Sequence, residues 1–177
     1  MNALKRDVGS KDVVDGSGNS LATSFATNIF NAFKAGRHYL KFGITYDDFT
    51  SHVLPVIIKE RNIICDNWEM SIAATVVHYI NDTLGDMKLD TQVYADADAY
   101  MSHAKHWGEL KGFALGLQFR YDSKLHQKPE NGNKSHFAKF HELVGDKPVL
   151  VTASQSDKEA YKTKLEEARG ILKTAYG

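Results

Sequence analysis

The sequence predicts an all-α fold, a helical bundle with two long central helices, and three observations carry that prediction. Apolar residues recur at helical spacing through most of the chain. Capping residues and acids precede these periodic segments, and glycines follow them. The longest apolar run, residues 56–84, is apolar on nearly every side, which suits a helix at the centre of a bundle and not one with a wet face.

Residues 1–18 mix charge with Gly9, Gly16 and Gly18 and show no apolar period, so they read as a flexible lead-in. Residues 19–177 are then expected to form one helical-bundle domain. The chain's 177 residues, 42% of them apolar, can close a single core without disulfides.

The first helix is expected over about 20–41, where Leu21, Phe25, Ile29, Phe33 and Leu40 recur, with Asn19 or Ser20 as cap and Gly43 beyond its end. Thr45, Asp47 and Asp48 start a short helix carrying Phe49, Val53 and Leu54, since a capping hydroxyl and first-turn acids suit the helix dipole. Pro55 either kinks that helix or starts the next. The central helix follows, with Ile57, Ile64, Trp68, Val76 and Ile80, until Gly85 stops it.

A second long helix is capped by Asp90 or Thr91, and Val93, Ala97, Tyr100, Ala104 and Trp107 form a stripe continuing through Leu110, Phe113 and Leu117. Residues 129–133 are a turn-rich loop, and a short helix is expected from about Ser135 to Val144. Within 145–153 the VLVT run passes equally for a strand. The last helix starts at a Ser156 cap, with Asp157 and Glu159 in its first turn, and runs through Tyr161, Leu165, Ala168, Leu172 and Tyr176.

Composition excludes more than it names. Acidic and basic residues balance at 22 each, so no long-range field gathers nucleic acid or an anionic membrane. No apolar segment reaches the roughly 18 residues of a membrane span, and the N-terminus lacks the apolar stretch of a signal peptide. The lone Cys65 has no partner for an internal disulfide and reads as a small buried side chain.

Chemistry concentrates on the second long helix. His103, His106 and Glu109 stand three apart, so their side chains face roughly one way, and His and Glu at that spacing share a metal or exchange a proton. One helix supplies too few ligands for a carboxylate-bridged iron site. The plainer reading has both histidines flanking the apolar stripe and hydrogen-bonding locally.

On the same helix Ala104, Gly108, Gly112 and Gly116 recur every four residues. Three interior glycines cost about 0.8–1 kcal/mol each against alanine, which asks for the close approach of another helix or of a ligand. In the central helix Asn67, Glu69 and His78 interrupt an apolar surface and must find partners. Glu69 or His78 is a candidate ligand facing the glycine helix, and His78 bonded to Asp82 or Thr75 is the structural alternative. His136 and His141 read as solvated. Phosphate-loop, CxxC, GxSxG and HExxH motifs are absent.

The blocks IFNAFKAGRHYL, IICDNWEMSIAATVVHYIN, KHWGELKGFALGLQF and ARGILKTAYG resemble the C-terminal half of the DUF4856 family of bacterial exported proteins, which are similar to the imelysin-like, iron-regulated helical proteins. Asn67-Trp68-Glu69 and Gly112-Phe113 with Leu117-Gln118-Phe119 are the most specific parts. The family's N-terminal half is missing, residues 43–56 look like an insertion, and Arg120 stands where the family usually has asparagine.

The resemblance implies an exported protein, periplasmic or at the cell surface, and a His-x-x-Glu element for iron handling onto which His106 and Glu109 fit. It also implies that a protein partner or second copy supplies the missing half of the site. The leading expectation is a non-enzymatic binding module connected with metal acquisition. There His106 and Glu109, with His103 and Glu69, hold iron or zinc or a metal-bearing ligand, and Ala104, Gly108, Gly112, Gly116, Trp107 and Trp68 form the close-packing or ligand face. The alternatives are a metal-dependent, peptidase-like hydrolase with Glu109 as base, and a purely structural or protein-interaction domain.

Overall fold

The computed structural model describes residues 24–41, 46–88, 97–129 and 132–177. Among these residues the chain is all-α: α1 (Phe25–Leu40), α2 (Leu54–Lys88), α3 (Ala97–Gly116), α4 (His136–Val144) and α5 (Gln155–Tyr176), with a single 3-10 turn at Lys124–His126 and no strand. The expected lead-in over 1–18, the caps at Asn19, Ser20, Asp90 and Thr91, and Val93 lie outside the described residues. No described helix is long and apolar enough to cross a membrane.

The fold divides into two compact units, Met1–Ser71 and Ile72–Gly177. The border falls inside the sequence of α2.

In the first unit α1 packs on the N-terminal half of α2. Phe25 and Ala32, seven apart and so on one helical face, are the residues that α1 buries. The buried Asn67 amide finds the partners it needs: its Nδ2 donates to the Ile63 carbonyl at 2.8 Å, and its Oδ1 accepts from Asn28 Nδ2 at 2.9 Å.

Pro55 stands in the first turn of α2, as the second of its two expected roles has it. A short α-helical turn at Tyr46–Asp48 leads into a π-helical stretch at Phe49–Val53, and the Leu54 N–H bonds the Phe49 carbonyl five residues back. The wider turn absorbs a residue that has no N–H and whose ring would crowd the carbonyl four residues earlier.

Gly85 does not stop α2 either. The helix runs on to Lys88, because Gly85 lacks the left-handed backbone that ends helices; among the described residues Gly145 and Gly177 have it. At about 1.5 Å per residue α3 spans roughly 30 Å.

The second unit holds the main core. The later half of α2 contributes Ala73, Val76, Ile80 and Met87, α3 contributes Leu110 and Ala114, α4 contributes Phe140 and Val144, and α5 contributes Leu165, Ala168 and Leu172. Each set follows its helix's period, and every fully buried Leu or Ile adds about 1.5–3 kcal/mol of transfer free energy.

Residues 145–153 form turns and no strand. Gly145, at φ 76°, ends α4, and Lys111 Nζ donates to its carbonyl at 2.6 Å. The cap of α5 is Ser154, two residues before the expected Ser156. Its Oγ accepts from the Asp157 N–H at 3.1 Å and donates to the Asp157 carboxylate at 2.6 Å, so cap and third-position acid hold each other.

Candidate functional site

In the second unit α3 carries His103, His106 and Glu109 as the spacing predicts, and Asp86 on α2 meets the two histidines. Its Oδ2 lies 2.7 Å from His106 Nδ1 and 3.8 Å from His103 Nδ1. His103 is fully buried, whereas His106 and Asp86 keep part of their surface in solvent.

Aromatic rings wall this cluster. Tyr79 stacks on Phe113 at 5.6 Å and stands 6.4 Å from the His106 ring, and Tyr100 lies 6.4 Å from His103. Burial holds the His103 pKa below the ordinary histidine value; Asp86 opposes the shift and His106 adds to it. His103 is therefore a neutral imidazole at physiological pH.

Asp86 is the residue that sequence reasoning missed. Nothing in the run Asp82–Asp86 marks one carboxylate over another, and only the packing of α2 on α3 decides which meets the histidines. Asp82 takes the other role, pairing with His78 Nε2 at 3.2 Å one turn away.

Glu109 is half-buried one turn beyond His106. Glu69, the fourth expected donor, is buried in the first unit. Among the described residues no group of three or more His, Cys, Asp or Glu side chains is arranged to hold a metal ion.

The glycine row does not sit against a described neighbour. A Cβ at Gly108 or Gly112 would meet no described atom within 4 Å, and one at Gly116 would make only ordinary contact with Ile72 at 3.9 Å. Gly108 and Gly112 face outward, while Ala104 and Gly116 are half-buried. Trp107 is a packing residue: its Nε1 donates to Tyr161 Oη at 2.9 Å, and Tyr161 in turn donates to the Val144 carbonyl at 2.9 Å. Trp68, in the first unit, is 57% exposed.

His141 differs from the solvated residue that the sequence suggests. Both of its ring nitrogens are shut off from solvent, and its ring lies 4.4 Å from that of Phe137. Burial first, then nearby Lys111, holds its pKa below the ordinary value, against the opposing pull of Asp146 and the Ala114 backbone. Phe137 was the available signal, since a histidine four residues beyond an aromatic that packs on the core shares its helix face.

The first unit contains a groove of about 530 Å³ between α1 and α2. Ala32, Ile57 and Ile64 line it together with the more exposed Phe33 and Leu40, and Arg37, Lys41, Glu60 and Arg61 also border it. Beside it Leu54, Ile58 and Trp68 are exposed along α2. Sequence reasoning missed this surface because it placed the 56–84 helix at the centre of the bundle, apolar on nearly every side.

No family model matches the chain, and no curated protein or solved structure matches it either. Function is therefore read from the chain's own residues.

Proposed function

We propose that the chain is a non-enzymatic binding module whose binding surface is the groove between α1 and the first half of α2. The carrying observation is that groove itself: about 530 Å³, apolar in its lining, with Phe33 and Leu40 about three-fifths exposed at its edge. Its volume lies within the range of ligand sites.

The test is an environment-sensitive apolar dye. Native protein raises its fluorescence, and Phe33→Asp or Leu40→Asp removes that signal without moving the thermal midpoint, because both side chains are already largely solvated. Dye fluorescence that neither variant changes would end this reading.

Metal capture at His106 is a second proposal, supported by the Asp86 contact. A ligating histidine commonly gives one ring nitrogen to a carboxylate, and Asp86 at 2.7 Å from Nδ1 leaves Nε2 as the coordinating atom, with Glu109 as the next donor along α3. Iron(II) or zinc that raises the thermal midpoint in native protein, and fails to do so in His106→Ala, supports it; an unmoved midpoint ends it.

A further inference from the structure

We infer that the α1/α2 face takes an amphipathic helix whose apolar stripe is flanked by carboxylates. This rests on the binding-module reading and adds the chemistry of the partner.

Two stripes define the face. Along α1, Phe33, Arg37 and Leu40 recur at i, i+4 and i+7; along α2, Ile58, Arg61 and Trp68 recur at i, i+3 and i+10, again one side of a helix. All six side chains are exposed. Two antiparallel helices with a hollow between them offer the seat into which the ridge of a third helix packs, the helix-in-groove mode of recognition.

Charge selects the occupant. Arg37, Lys41 and Arg61 border the groove against the single carboxylate of Glu60. Among the described residues none of the three cations forms an ion pair, and the Arg61 guanidinium donates to the neutral Asn62 Oδ1 at 3.2 and 2.8 Å, which leaves its charge uncompensated. A second copy docked face to face would bring arginines toward arginines. A lipid surface favours a projecting apolar ridge, and this face is hollow at its centre. A helix bearing Glu or Asp beside its apolar stripe answers both the shape and the charge.

The probe is a fluorescein-labelled synthetic helix of about 15 residues, the length that covers the roughly 21 Å from Leu54 to Trp68. It carries Leu at i, i+3, i+7 and i+10 with Glu on both flanks. Controls have Lys in place of Glu, or the Glu peptide's residues scrambled, and binding to the full chain is followed by anisotropy.

The expected result is at least tenfold tighter binding of the Glu peptide than of either control, with the gap narrowing as salt rises. Arg37→Glu with Arg61→Glu should invert the preference toward the Lys peptide. Both positions are exposed, so circular dichroism should show an unchanged helix content.

Equal or tighter binding of the Lys or scrambled peptide overturns the inference, as does a preference that the charge reversal leaves unmoved. Displacement of the Glu peptide by oleate or anionic vesicles at lower concentration than by unlabelled peptide also overturns it, as does self-association of the chain abolished by Ile58→Asp. If the apolar dye binds at the groove while both helical peptides bind equally, the partner chemistry fails and the binding module stands; if neither dye nor peptide binds, the module itself fails.

Discussion

Asp86 Oδ2 stands 2.7 Å from His106 Nδ1, a contact between the C-terminal end of α2 and the middle of α3. The same carboxylate lies 3.8 Å from the buried His103, so one acid faces two imidazoles and ties the end of α2 to α3.

Asp86→Ala should therefore lower stability by about 1–2 kcal/mol, the scale of a partly exposed hydrogen bond to a charged group. Urea denaturation of Asp86→Ala, His106→Ala and the double variant checks it. The double variant should cost less than the sum of the singles, since the residues share one interaction, and simple additivity would show that they do not.

Acid should destabilise the fold before its carboxylates protonate. His103 and His141 both have folded-state pKa values below the ordinary value of about 6.5, so on acidification the unfolded chain takes up these protons first. Their contribution is complete above pH ~6.5 and is lost as pH falls from there through the folded-state values. Thermal midpoints should drop between pH of about 7 and 5, with a shallower slope in His103→Leu. A flat profile over that window would contradict the burial of both rings.

Gly108→Ala and Gly112→Ala should each raise stability by about 0.8–1 kcal/mol. Both sit inside α3 with helical backbone and room for a methyl group among the described residues, so only the backbone entropy of the unfolded chain changes. A loss of stability would reveal close packing on this face, as the spacing of the glycines suggests in isolation.

Tyr161→Phe should cost about 1 kcal/mol, because it deletes the hydroxyl between Trp107 and the Val144 carbonyl. Trp107 Nε1 already approaches that carbonyl at 3.4 Å and can take over part of the bond, which keeps the loss small. Equilibrium unfolding followed by tryptophan fluorescence in a Trp68→Phe background, which leaves Trp107 as the only indole, reads both the cost and the altered environment.

The helices of the second unit were legible because each carries its own instructions. α4 begins at the Ser135 cap and α5 repeats Tyr161, Leu165, Ala168 and Leu172 at the period that the sequence displays. The misread boundaries share a cause. Gly85 and Ser156 each bear a local signal for a stop or a cap, yet α2 continues past its exposed glycine and α5 begins two residues earlier, at Ser154.

By itself the sequence determined the helical class, most of the apolar faces and the neighbourhood of His103, His106 and Glu109, since periodicity and capping act within a few residues. Only the tertiary structure decided that Asp86 meets those histidines, that His141 is shut away, and that the early half of α2 keeps Ile58 and Trp68 exposed. These depend on which helix faces pack together. An apolar side chain is drawn from water with equal force wherever it stands, so its spacing marks a face, while the neighbours that reach that face determine whether it is covered.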